Sequence, residues 1–173
     1  SEFHRQNANP IGNQTHFIAG DKDGNVFFDS DQSLIRYDIQ TQKFSCLRKS
    51  NVYTVASIKG TIWVGIADSI LTWNPDKNDF DFVTRLENRN QRATCLLEDS
   101  GGRYWIGTTD GLFKMNDDKS LTCMIMGEDI YDLYEDSKYN LWISIRMNGM
   151  YKRDVHGNFT RYRYDPSNPN NIS

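Results

Sequence analysis

Arg103-Tyr104-Trp105-Ile106 decides the fold of this chain, because the same short core returns three more times, as Asn25-Val26-Phe27-Phe28, Thr61-Ile62-Trp63-Val64 and Asn140-Leu141-Trp142-Ile143. The marked aromatics, Phe27, Trp63, Trp105 and Trp142, lie 36, 42 and 37 residues apart. A period near forty with one aromatic per period is the mark of a repeat array, in which each unit buries its apolar face against the next.

Each aromatic sits inside the same local grammar. Six residues before it stands a side-chain acceptor, Asp21, Ser57, Asp99 or Asp136, placed to hold a turn. Three residues before it stands Gly24, Gly60 or Gly102, which supplies positive φ in a tight hairpin without a Cβ clash. The fourth repeat has Tyr139 there, followed by Asn140, and Asn140 is the residue expected to take the left-handed conformation. About seven residues after each aromatic comes a second apolar position, Leu34, Ile70, Leu112 or Met150, the last reached by one inserted residue. Tyr37, Trp73, Met115 and Arg153 then lead into polar turns closed by Phe44, Phe80, Leu121 and Phe159.

Each unit therefore reads as four short strands divided by clusters of Asp, Asn, Gly and Ser, residues that satisfy turn backbones or accept left-handed geometry. No window sustains a helical period. The expected fold is all-β: a β-propeller fragment of about four four-stranded antiparallel blades, an open arc or part of a larger ring. The expected blades are 14–50, 51–90, 91–128 and 129–165. Residues 1–13 read as an outer strand and linker of an adjoining or closing blade, since Phe3-His4-Arg5 and Asn9-Pro10 echo Phe159-Thr160-Arg161 and Asn168-Pro169. Residues 166–173 read as a linker to a next blade.

Composition narrows the function. At 173 residues and 38% hydrophobic the chain can bury a sizeable core. A net charge of −3 gives no basic field for nucleic acid, and Arg161-Tyr162-Arg163-Tyr164 is expected to be an outer strand with exposed arginines. No apolar run approaches the roughly 20 residues of a membrane-spanning helix, so no membrane contact is expected of this segment. Cys46, Cys95 and Cys123, an odd set at unrelated spacings, read as buried or semi-buried thiols, and His4, His16 and His156 are too scattered to suggest a metal site. Neither a metal nor a cofactor is expected.

Glu98-Asp99 and Glu135-Asp136 could be the carboxylates of a glycoside hydrolase. Their recurrence at one blade position favours turn capping instead, since a catalytic pair is needed once and a turn cap in every blade. Asp21-Lys22-Asp23-Gly24-Asn25 superficially matches a calcium loop, but its Gly comes fourth and no Glu follows at twelve. Asp99 to Trp105 likewise suggests the Asp-box of sialidases without its Ser-x-Asp opening.

The sixteen residues from Leu97 to Leu112, Leu-Glu-Asp-Ser-Gly-Gly-Arg-Tyr-Trp-Ile-Gly-Thr-Thr-Asp-Gly-Leu, resemble the two-component regulator propeller repeat nearly throughout. The second repeat keeps Gly60, Trp63-Val64-Gly65 and Ile70, the fourth Glu135-Asp136-Ser137 and Leu141-Trp142-Ile143, and the first Asp23-Gly24-Asn25 with Phe27 in place of Trp. The resemblance implies a non-catalytic sensor: the periplasmic part of an inner-membrane hybrid two-component histidine kinase of Bacteroidetes type, responding to glycans. Its partners would be an oligosaccharide and the remainder of the receptor.

Ligand contacts, if carried here, belong on rim loops. The least repeat-like loop is Arg146-Met147-Asn148, where the fourth unit has its insertion. The recurring aromatics themselves are expected to pack blade on blade, Phe27 less completely than the tryptophans. Exposed blade faces suggest a homo-oligomer. The competing reading is a carbohydrate-active propeller enzyme or lectin.

Overall fold

The computed structural model describes residues 14–88 and 90–163. The first sheet contains β1 (Ile18–Gly20), β2 (Val26–Ser30), β3 (Ser33–Asp38) and β4 (Lys43–Lys49); the second contains β5 (Val52–Ile58), β6 (Thr61–Ile66), β7 (Ser69–Asn74) and β8 (Asp79–Arg85). The third contains β9 (Ala93–Glu98), β10 (Tyr104–Thr108), β11 (Gly111–Met115) and β12 (Leu121–Met126); the fourth contains β13 (Ile130–Glu135), β14 (Leu141–Ile145), β15 (Met150–Arg153) and β16 (Phe159–Tyr162). Within each sheet the strands pair in chain order, all antiparallel. Four such meanders of four strands are β-propeller blades. The outer strand and linker expected at 1–13, and the linker expected at 166–173, lie outside the described residues.

The chain divides into two compact units, residues 1–85 with the first two blades and residues 86–173 with the last two. In the first, Phe27 and Leu34 of one blade join Val55, Ile62, Val64, Ile66, Trp73 and Phe80 of the next in one core. In the second, Cys95, Trp105 and Leu112 join Ile130, Leu133, Leu141, Ile143 and Ile145. Both cores lie between sheets rather than within one, because a strand with both faces apolar must be covered on both.

Register explains the repeat spacing. Leu34, Ile70, Leu112 and Met150 stand directly opposite Asp29, Gly65, Gly107 and Ser144, each two residues beyond the marked aromatic. Phe44, Phe80, Leu121 and Phe159 close the outer hairpins against Tyr37, Trp73, Met115 and Arg153. Gly107 is fixed by packing: a Cβ there would overlap Cys95 Sγ and lie 2.7 Å from Ile130 Cγ2 on the neighbouring blade.

Several expectations are corrected. Phe27 is fully buried, more completely than Trp63, while Trp142 is only half-buried. In the fourth blade the left-handed residue is Tyr139 itself (φ 62°), standing where the others place glycine, and Asn140 is free to bond. Ser57 holds no turn: it pairs with Ile62 in the ladder, and the hairpin is the two-residue Lys59-Gly60, both at positive φ (50° and 76°). Cys95 is buried, its thiol pushed up to about 12 by desolvation, but Cys46 and Cys123 are exposed; all three are free. Arg161 is not a solvent-facing arginine, because its guanidinium meets Glu128 Oε1 at 2.6 Å and lies 4.9 Å from the Tyr151 ring.

Candidate functional site

The turn before three of the four marked aromatics, Phe27, Trp105 and Trp142, is built by one aspartate. Asp99 Oδ1 accepts the backbone N–H groups of Gly101 and Arg103, both at 3.0 Å, and its Oδ2 accepts Arg103 Nε at 2.7 Å and Trp105 Nε1 at 2.8 Å. Asp136 repeats this with the N–H groups of Lys138 and Asn140, both at 2.9 Å, and Trp142 Nε1 at 2.8 Å. The six-residue spacing from acid to indole thus places the carboxylate over the ring N–H of its own blade. At Asp21 no indole follows, and Asn25 Nδ2 takes that oxygen at 2.8 Å.

The electrostatics follow from these bonds. Burial alone would raise the Asp99 carboxyl, but the Trp105 and Arg103 donors outweigh it and hold the group below its ordinary value. Bonds from Asn140 and Trp142 hold Asp136 far below it. Sequence reasoning missed a further copy of the motif: Asp154 Oδ1 accepts His156 N at 2.9 Å and Asn158 N at 2.8 Å in the outer hairpin of the fourth blade. Its signal, Asp154-Val155-His156-Gly157-Asn158, matches Asp21 to Asn25 in form.

Glu135, adjacent to Asp136, does different work. Its two oxygens accept Ser100 N at 2.7 Å and Ser100 Oγ at 2.9 Å, tying the fourth blade to the turn of the third. Three of the four carboxylates that could have served hydrolysis, Asp99, Asp136 and Glu135, are therefore engaged in turns and in a blade clamp.

Arg146, Met147 and Asn148 form the β14–β15 turn. The structure brings them beside Glu128 and Asp129, which precede β13. Arg146 Nε donates to Asp129 Oδ2 at 2.9 Å, and its guanidinium lies 5.0 Å from the centre of the Tyr131 ring. Asn148 Nδ2 donates to Glu128 Oε2 at 2.9 Å. Met147, at φ 56°, is fully exposed. The loop is thus pinned at both flanks with its tip free, and Tyr131, which sequence reasoning did not single out, stands 58% exposed beside it.

The first blade has a departure of its own. Asp29 occupies the position of Gly65, Gly107 and Ser144 and is buried. Its Oδ1 accepts His16 N at 2.7 Å and Phe17 N at 2.6 Å, and Oδ2 meets His16 Nδ1 at 2.8 Å. The carboxylate fastens the chain entering β1, leaving the opposite imidazole edge toward solvent.

Comparison with known proteins places this architecture. Residues 89–110 match the family model described as two component regulator propeller. The extracellular domains of two proteins assigned as hybrid two component systems from B. thetaiotaomicron share the fold. One has a TM-score of 0.79 and 19% identity, over 98% of this chain and 25% of that one. The other has a TM-score of 0.74 and 20% identity, over 93% and 23%. Virginiamycin B lyase from Staphylococcus aureus is also similar, with a TM-score of 0.69 and 15% identity over 88% of this chain and 56% of the lyase. The chain spans about a quarter of the length of the extracellular domains it matches. No curated protein sequence matches it.

Proposed function

We propose that the chain is a non-catalytic sensor segment in the extracytoplasmic propeller of a membrane-bound hybrid two-component regulator, which responds to glycans. The observation that carries this is the two component regulator propeller match at 89–110, set in a chain whose four blades share one architecture. The parent would be a histidine kinase, and this segment would act with the remainder of that receptor. Fold alone does not separate a sensor from an enzyme, since a lyase shares it. What favours the sensor is the engagement of Asp99, Asp136 and Glu135 in turns and clamp, which leaves these acids without room for a catalytic role.

The ligand-contact loop in this reading is Arg146-Met147-Asn148, whose tip is free while its flanks are held. The chain also self-associates through blade faces, because Trp142 is only half-buried and Tyr134 is 64% exposed on the last blade. A glycan-array screen of the chain, run beside a turnover assay on the oligosaccharides retained, tests the reading. Binding without turnover is expected; turnover would replace the sensor by a carbohydrate-active enzyme. Sedimentation at high micromolar concentration tests the association, which a clean monomer would refute.

A further inference from the structure

The turns of Asp21, Asp99, Asp136 and Asp154 are each closed by the side chain four places on. Asn25 Nδ2 donates to Asp21 Oδ2 at 2.8 Å, Asn140 Nδ2 to Asp136 Oδ2 at 2.9 Å and Asn158 Nδ2 to Asp154 Oδ2 at 3.1 Å. In the third blade that residue is Arg103, whose Nε makes the same bond to Asp99 Oδ2 at 2.7 Å. An asparagine spends its amide on the turn. An arginine has five N–H donors and spends one, so the planar fork of Nη1 and Nη2 is left over.

That fork is both fixed and open. Among the described residues Nη1 and Nη2 have no partner, and Asp99, 5% exposed, holds the root of the guanidinium. Gly101 leaves the fork uncovered, since a Cβ there would come within 3.4 Å of Nη2. Arg103 lines a cleft of about 250 Å³ that Lys114, Asp117 and Lys119 also line, the last two on the β11–β12 turn. Lys114, opposite Trp105 on β11, has no hydrogen-bond or ion-pair partner among the described residues. Three cations thus meet one carboxylate in the cleft and one beneath it, while Asp118 is bonded to Ser120. The Arg103 charge is felt beyond its ion pair as well: after burial, it is what most lowers the proton affinity of Arg153, which lies over the Trp105 ring.

A fork of two parallel N–H donors with an ammonium group beside it matches one ligand chemistry. It is an oxyanion, with two oxygens on the guanidinium and its remaining charge met by lysine. We infer that this cleft binds an oxyanion group, a phosphate, sulfate or carboxylate, with Arg103 and Lys114 as its ligating residues and Asp99 as the residue that positions Arg103. A volume below the roughly 300–1,000 Å³ of drug-sized pockets suits one such group rather than an extended ligand. The inference is independent of the glycan-sensing reading and lies away from the Arg146-Met147-Asn148 loop.

Trp105 supplies a reporter inside the site, because its Nε1 shares Asp99 Oδ2 with Arg103 Nε. An anion that draws on the guanidinium should move the indole N–H signal in proton–nitrogen NMR spectra, a signal assigned by its loss in Trp105→Phe. Inorganic phosphate, sulfate and acetate are titrated separately into the whole chain, with ionic strength held constant by chloride. The titrations use native protein, Arg103→Asn, Lys114→Gln and Lys138→Gln. Arg103→Asn installs the residue type that the other three turns use, so the fold and the bond to Asp99 should persist. Lys138, exposed in the matching turn of the fourth blade, is the control. The expected result is a saturable shift with at least one anion in native and Lys138→Gln protein, at least tenfold weaker in Arg103→Asn and Lys114→Gln. The tightest of the three arms identifies the group. No saturable shift with any of the three in native protein, or undiminished binding by folded Arg103→Asn, overturns the site.

Discussion

The joint inside the first unit and the joint inside the second solve one packing problem with different residues. In the first, Phe27 meets Trp73 of the next blade with ring centroids 5.3 Å apart, and Trp73 in turn meets Phe80 at 5.1 Å. In the second, Trp105 occupies the place of Phe27, and the residue in the place of Trp73 is Arg153, whose guanidinium lies 5.3 Å from the indole. A small ring faces a large one in the first joint; a large ring faces a flat cation in the second. Volume is conserved across the interface rather than at a position, as close packing requires.

The difference extends to polar fixtures. Trp105 is anchored by its N–H to Asp99, whereas Phe27 has nothing to donate and Asp21 turns to Asn25. The second joint is therefore a pinned one, with the aromatic fixed to its own turn before the neighbouring blade closes on it. The first has no pin on its aromatic; its polar ties between the blades lie elsewhere, at Lys22 N to Gly60 O (2.9 Å) and Arg48 to Asp79 (2.9 Å). Arg153 carries a cost in this arrangement: burial, and then the nearby Arg103 charge, lower its proton affinity.

The largest effect should come from Trp105→Ala, which removes a side chain 1% exposed together with its anchor. About 3–5 kcal/mol of stability should be lost in chemical denaturation. A loss below about 1 kcal/mol would mean that the joint does not carry the second unit. Gly107→Ala comes next, at about 1–3 kcal/mol, because the new methyl meets Cys95 Sγ and Ile130 on the facing blade; a neutral result would contradict the close approach of the two sheets.

Trp105→Phe isolates the pin. It keeps most of the apolar volume but deprives Asp99 of one donor, and should cost about 1–2 kcal/mol. Phe27→Ala, by contrast, should behave as a pure cavity mutation with no dependence on Asp21.

Acid sharpens the comparison further. The folded carboxyls of Asp99 and Asp136 lie below their ordinary value, so the stability they contribute is full above the unfolded carboxylate range near 4. It is lost as pH falls through that range toward the folded values. Denaturation midpoints of the native chain should fall between pH 5 and pH 2, and Trp105→Phe should flatten that fall. The smallest effect belongs to Glu135→Gln, which weakens a solvent-exposed clamp on Ser100 by about 0.5 kcal/mol.

Much of this was legible in the chain. The forty-residue period, the acid six places before the aromatic and the second apolar position fixed four blades and most of their pairings. What escaped lies across blade boundaries or in single-residue shifts. Phe27 reads as a weakened tryptophan until Trp73 is seen opposite it, and that compensation belongs to a different repeat. Asn140 rather than Tyr139 is the residue expected at the left-handed place because a bulky side chain at positive φ is disfavoured by local sterics, a cost the Asp136 turn overrides.

The candidate site was legible in part. Arg146-Met147-Asn148 stood out through its insertion, but Tyr131 did not, since a bulge residue in a strand looks like any other until its register is known. Asp29 replaced a glycine-like position without any signal of the His16 contact that accounts for it.

The measurement that bears most directly on the pinned joint is a double-mutant cycle of Asp99→Ala with Trp105→Phe, read by chemical denaturation, beside the matching cycle of Asp21→Ala with Phe27→Ala. A coupling of about 1–2 kcal/mol in the first cycle and none in the second is the expected result. Strict additivity at Asp99 and Trp105 would show that the repeat's recurring acid and aromatic act independently, and the account of the blade joint would fail.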